Sequence, residues 1–286
     1  MAEYQNSNRF VTLVNLYFNI YFVGGIFFQC ILLYLILTKS PKSLANMKYF
    51  LMNTCFIQTF MICCAFFIQH RVLPNAASLA ILAYGPCRRL GPNVCFATYH
   101  IFLIIPFTDK WDFPSVWNQT SEEHSHYDLS IYYPYSGFAN VNSIPFLLAT
   151  TILAIGAYGI PVGCFFLTRK ILSIINEHRS MSKRTKEQAK TLVRGLACQI
   201  ITPVICYIPI FTLYTYSQTT KTEMLAIEHL LIIMLSLPGI LDPFLNFYFV
   251  VPYRNAIVKA IMRKEDEVKS SVPASTVSAR SVIVKL

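Results

Sequence analysis

The sequence predicts an all-α integral membrane protein, and three observations carry that prediction. Only 13% of the 286 residues are charged while 55% are hydrophobic, and the mean hydropathy is +0.48. A soluble domain carries about 25% charged residues, so about half of the polar surface that water demands is missing. The apolar residues gather into runs near 10–37, 49–68, 144–168, 192–216 and 226–251, each meeting the roughly 20 residues a helix needs to cross a bilayer core of about 30 Å. The basic residues gather beside those runs, eight of the 24 Lys and Arg falling between Arg169 and Arg194. A net charge of +10 raises nucleic acid as a partner, but charges spread along apolar spans make no soluble basic face, and no nucleic-acid role is expected.

In chain order, MAEYQNSNR lacks the basic start and small-residue cleavage site of a signal peptide and runs straight into the first apolar span. That span reads as an uncleaved signal anchor, with Gly24 and Gly25 allowing close helix contact. A turn over residues 38–43 leads to the second span. Residues 69–93 read as a mixed loop, because Pro74, Gly85-Pro86 and Gly91-Pro92 interrupt any long helix. Val94–Phe107 is apolar but short. At 1.5 Å per residue it reaches roughly 21 Å, too little to cross unaided.

The next segment, Thr108–Ser143, is polar and aromatic, with Asp109, Asp112, Glu122, Glu123 and Asp128 against Lys110 alone. It holds the sequon Asn118-Gln119-Thr120. The span 144–168 carries Gly156, Gly159, Pro161 and Gly163, which predict small packing faces and a kink. The span 192–216 holds Pro203 and Pro209; the last, 226–251, holds Pro238 and Asp242-Pro243. Residues 1–264 are therefore expected to form one transmembrane helical domain, and 265–286 a disordered cytoplasmic tail.

Basic loops of this length stay on the cytoplasmic side, which places Arg169–Arg194 inside and Asn118 outside, where a sequon can be glycosylated. Counting from an exterior N-terminus instead makes Val94–Phe107 cross inward and puts Asn118 inside. Either six spans cross with the N-terminus inside, or Val94–Phe107 does not cross and five remain. The charge bias favours neither, since most Lys and Arg lie inside in both. The third resolution is that part of a helix, a cytoplasmic loop and a further helix are absent.

Several stretches resemble the nematode serpentine receptors of class delta. They include Ser40-Pro-Lys-Ser-Leu44, Gln69-His-Arg-Val-Leu-Pro-Asn75, Gly91-Pro-Asn-Val-Cys-Phe-Ala-Thr-Tyr-His100 and Trp111-Asp-Phe-Pro114. Gly156-Ala-Tyr-Gly-Ile-Pro161, Met181–Leu192, Cys206-Tyr-Ile-Pro-Ile210 and Tyr248-Phe-Val-Val-Pro-Tyr-Arg254 continue the likeness to about Met262. The resemblance implies a seven-helix receptor-like bundle, a small-molecule ligand held between helices and a heterotrimeric G protein as cytoplasmic partner. It also implies the plasma or ciliary membrane of sensory neurons. The family carries a full third helix, a short cytoplasmic loop and a fourth helix before the Trp-Asp-Phe-Pro stretch. Here Phe107 passes almost directly to Trp111, so the bundle is expected to be reduced to five or six spans and deficient in signalling.

Candidate sites follow from the residues and the resemblance together. Arg169, Lys170, Lys183, Arg184, Lys186 and Lys190 are candidates for contact with a G protein and with anionic lipid, which adds about 1 kcal/mol per basic residue. A topology signal alone is the plainer reading. Asp242-Pro243 with Tyr248 resembles the Asn/Asp-Pro-x-x-Tyr switch of rhodopsin-like receptors, with two extra residues before the Tyr; a kinked helix with a paired Asp is the plainer reading. Cys87 and Cys95 either close a short exterior disulfide or both stay free, because Thr108–Ser143 offers no Cys for the usual tether to helix three. His100 reads as a packing residue, and Glu122, Glu123, His124, His126 and Asp128 as a solvated acidic patch on a flexible loop rather than a metal site. Neither catalytic motif nor cofactor signature is present. The alternative class is a small multi-span transporter or channel, but the chain shows no internal repeat and nearly lacks mid-span charges other than Asp242.

Overall fold

A computed structural model describes residues 2–40, 45–103, 111–177, 183–220, 222 and 224–271. Among the described residues nine α-helices and a small sheet follow in the order α1 (Ala2–Lys39), α2 (Ala45–Ile68), β1 (His70–Pro74), β2 (Leu79–Ala83), α3 (Pro92–Leu103), α4 (Phe113–Glu123), β3 (Ser136–Phe138), α5 (Ile144–Ala154), α6 (Ile160–Glu177), α7 (Lys183–Thr220), α8 (Leu225–Phe249) and α9 (Val251–Ser271). Among the described residues five segments are long and apolar enough to cross a membrane: Phe10–Lys39, Lys48–Ile68, Ile144–Glu177, Ala189–Thr220 and Leu225–Phe249. The third of these joins α5 to α6 through one π-helical turn, Ile155–Gly159. Pro161 cannot donate to the carbonyl four residues back, and the flanking glycines leave the backbone free to widen there.

The two faces of the sheet explain why the segment after α2 is not a loop. β1, β2 and β3 lie side by side in that order, antiparallel, with Arg71 opposite Leu82 and Ile81 opposite Ser136. Successive strand residues point to opposite faces. Val72, Leu79, Ile81 and Ala83 join a cluster with Phe96, Tyr99 and Phe138, while Leu73, Ala80 and Leu82 join another with Val116, Tyr132 and Tyr135. Both faces are covered, so the strands read as short unbroken apolar runs without alternation. Gly137 makes the close pairing possible, since a Cβ there would stand 2.2 Å from the Leu79 carbonyl.

The sheet, α3 and α4 form a cap on one end of the bundle. Val11 of α1 packs in the cap cluster, as do Ile68 of α2, Phe146 of α5, Tyr214 of α7 and Ile227 of α8 in its neighbour. At the opposite end Ser40 bonds Tyr253 across 2.8 Å and the Lys48 ammonium reaches the Leu37 carbonyl. The start of the first span and residues 69–103 and 111–143 therefore share one end, and the basic segment and α9 share the other.

Two expectations change here and one stays open. Val94–Phe107 is described only as far as α3, which ends at Leu103 and lies in the cap, its His100 ring enclosed by Phe96 and Phe138 at 4.4 and 5.4 Å; residues 104–107 lie outside the described residues. Its interrupted neighbours explain this, because Gly91 adopts φ 97° directly before it and prevents fusion with the preceding turn. Arg169–Arg194 is mostly helix, not loop, since α6 runs to Glu177 and α7 starts at Lys183; Lys, Arg, Gln, Glu and Ala are good helix formers. The tail begins as helix, α9 continuing past Lys264 to Ser271, while 272–286 lie outside the described residues.

Candidate functional site

The cap and the cap-side ends of α7 and α8 line a half-open cavity of about 230 Å³. Each lining residue is placed by a local rule. Asn75 sits in the tight connection between β1 and β2, where its N–H bonds the Ser78 carbonyl at 3.0 Å. Glu123 and His124 stand at the end of α4 and grip that same connection: Ala76 N–H donates to Glu123 Oε2 at 2.7 Å, and His124 Nε2 lies 3.2 Å from the Pro74 carbonyl. From α7, the Gln218 amide donates to the Asn75 carbonyl at 3.2 Å. Glu228 enters from the first turn of α8.

Glu228 is held by Arg71 of β1. The Arg71 Nε donates to Glu228 Oε2 at 2.9 Å, and both side chains are nearly dry, 3% and 4% exposed. The guanidinium also lies over the Tyr127 ring at 4.7 Å, a cation–π contact. Burial acts to lower the Arg71 pKa, but the Glu228 carboxylate, with Tyr132 and Tyr127, more than offsets it, so the group stays charged. Burial alone pulls the neighbouring His70 down to about 3, leaving it neutral against Tyr99. One ion pair thus joins the cap to the last span.

A second polar cluster lies deep between α1, α2 and α8. Gln58 Nε2 donates to Asp242 Oδ2 at 2.8 Å, and Asn246, one turn on, donates to the Asp242 carbonyl at 2.9 Å. Pro243 has no N–H for the Gly239 carbonyl four residues back, and Gln29 Nε2 donates to that carbonyl instead at 3.2 Å. Tyr17 and Ser236 share a bond of 2.7 Å one turn nearer the cap. Asp242 is thus bonded to Gln58. Tyr248 is not its partner. Six residues on, it lies about 120° around the helix, 63% exposed. The missed partners were visible as isolated amides, Gln29 and Gln58, in otherwise apolar spans.

The remaining expected positions fall as follows. Asn118 is exposed on α4. Cys87 and Cys95 form a disulfide. Arg169 and Lys170 are exposed on α6, Arg169 over the Phe165 ring at 4.7 Å. Lys183 is exposed at the start of α7; Lys186 donates to the Asn176 carbonyl and Lys190 stands 3.7 Å from Glu187. Arg184 lies on α7, its side chain outside the described residues. The acidic patch is not a flexible loop, because Glu123 and His124 end a helix and hold the cap turn. Among the described residues no three His, Cys, Asp or Glu side chains converge as metal ligands.

Known proteins place this architecture. The family pattern of the Serpentine type 7TM GPCR chemoreceptor Srd matches residues 14–105 and 101–259. Serpentine receptor class delta-59 of Caenorhabditis elegans is 43% identical over 319 residues, covering 96% of this chain and 98% of the relative. Serpentine receptor class delta-50 of the same organism is 29% identical, covering 95% and 97%. No solved structure matches significantly. With five membrane-length helices, a structured cap and matched segments running from the first span to α9, the chain belongs to the Srd family of serpentine seven-transmembrane chemoreceptors.

Proposed function

We propose that this chain is a chemosensory G-protein-coupled receptor that takes a small molecule at the cavity beneath its cap, and that it lacks the membrane-crossing part of helix three and all of helix four. Family membership supports the receptor reading. The ligand enters from the cap side, where Asn118 faces the exterior, and the signal passes to a heterotrimeric G protein and anionic lipid at the opposite end. There Arg169, Lys170, Lys183, Arg184, Lys186 and Lys190 crowd the ends of α6 and α7. The expected setting is the plasma or ciliary membrane of sensory neurons.

The observation that carries the proposed loss is the face of Ile144–Glu177. Only 6% of its apolar window is buried inside the fold, against 44% for Leu225–Phe249. Gly156 and Gly163, residues that permit close helix packing, have nothing within 4 Å of a Cβ built on them. The alignment to class delta-59 agrees: it runs over 319 positions, so at least 33 positions of the relative lack a counterpart among these 286 residues. The family pattern breaks into two matches that meet at residues 101–105.

The test is to insert the corresponding segment of class delta-59 between Phe107 and Trp111 and measure ligand-dependent nucleotide exchange on a G protein. The refilled chain is expected to give a clear ligand-dependent signal and the present chain at least tenfold less. Equal signals from both would remove the proposed loss. No signal from either, with both correctly inserted and screened against the same odorant panel, would remove the receptor reading.

A further inference from the structure

We propose that the cavity under the cap recognises a small organic cation, a protonated amine of a few heavy atoms. The proposal rests on the receptor reading above and names its ligand class. The lining is rich in acceptors and poor in available donors. Glu123 contributes a carboxylate and Pro74 a carbonyl, while the Glu228 carboxylate is already balanced by Arg71. The donors near the cavity are already committed: the Gln218 amide to the Asn75 carbonyl, the Ala76 N–H to Glu123, the Ser217 hydroxyl to the Thr222 carbonyl at 2.6 Å, and the His124 Nε2 to the Pro74 carbonyl, while the Thr222 hydroxyl shares a bond with that of Thr220. Arg71, the nearby guanidinium, is spent on Glu228 and Tyr127. An anion would meet the Glu123 carboxylate without a cation to receive it, whereas an ammonium would meet a charge-assisted acceptor.

Asn75 supplies an independent sign. It lines the cavity, is 3% exposed, and its Oδ1 has no hydrogen-bond partner. The amide orientation is fixed from the other side. Thr120 spends its own proton on the Val116 carbonyl at 2.7 Å, so it can only accept, and Asn75 Nδ2 donates to it at 2.8 Å. Oδ1 is therefore the acceptor, turned away from Thr120. A buried acceptor left without a donor costs free energy, and a ligand N–H offsets that cost. The size fits a small ligand, since about 230 Å³ holds about eight water-sized groups at roughly 30 Å³ each.

The full chain in detergent micelles is titrated at pH 7 with propylammonium, with 1-propanol and with propionate, reading saturable binding by calorimetry and by thermal shift. Propylammonium is expected to bind saturably, and Glu123→Gln to weaken it about tenfold or more; the Gln amide oxygen can still accept the Ala76 N–H that Glu123 holds, so the variant keeps the fold. Absent binding of propylammonium, an equal response to 1-propanol, or no effect of Glu123→Gln would overturn the assignment. The readout needs no G protein. Cation binding without any nucleotide exchange in the refilled chain sinks the receptor reading alone, and exchange driven only by neutral or anionic compounds sinks the cation alone.

Discussion

Arg71→Met is expected to cost about 3–5 kcal/mol of stability, because it strands a buried carboxylate. The Arg71 guanidinium and Glu228 carboxylate are 3% and 4% exposed, so either charge left alone is poorly solvated. The loss is aggravated by the vanished cation–π contact with Tyr127. Thermal unfolding of the detergent-solubilised chain checks this, with Glu228→Leu and the double variant alongside. The double variant is expected to recover most of the loss, since a buried pair replaced by apolar groups of similar volume is often nearly neutral. A single variant as stable as the parent, or a double variant as damaged as the sum of the singles, would show that the pair does not join cap to bundle.

Removing the disulfide is the next largest expected effect. Cys87→Ser with Cys95→Ser opens a link between residues eight apart in sequence, for which loop-closure entropy gives about 2–3 kcal/mol. The bond ties the turn Pro86–Leu90 to α3, so the damage is expected in the cap while the spans stay helical. Thermal unfolding gives the stability, and circular dichroism the helix content. The same bond reports sidedness, because disulfides persist in oxidising compartments and are rare in the cytosol. Maleimide labelling of Cys87 and Cys95 in intact cells is expected only after reduction. Labelling without reductant, at parental stability, would contradict both points.

How much of this was legible differs by element. The five membrane-length helices among the described residues follow from hydropathy, which senses length and apolarity whatever the packing. The hairpin of β1 and β2 escaped because Leu79–Ala83 is buried on both faces and shows no alternation. A five-residue apolar run of that kind cannot be told from a helix fragment by period. Its brackets, Pro74-Asn75 and Gly85-Pro86, were the available signal. Asp242 was found because a charge stands out in an apolar run. Its partner, Gln58, was not named because it comes from another span; the switch motif follows chain order rather than the angle around the helix, where Asn246 shares the Asp242 face and Tyr248 does not. The cavity was out of reach for a different reason. Asn75, Glu123, Gln218 and Glu228 come from four separate elements, and only the cap's docking brings them together.

That docking requires everything between the second and third spans to remain on one side of the membrane. The most direct measurement is the state of Asn118 after expression through the secretory pathway, combined with protease protection of sealed vesicles. The account predicts a single glycan at Asn118, lost in Asn118→Gln, with residues 111–143 protected in inside-out-resistant (lumen-enclosed) vesicles and the Arg169–Arg194 segment cleaved from the cytosolic side. An unmodified Asn118 in a segment open to cytosolic protease would contradict it.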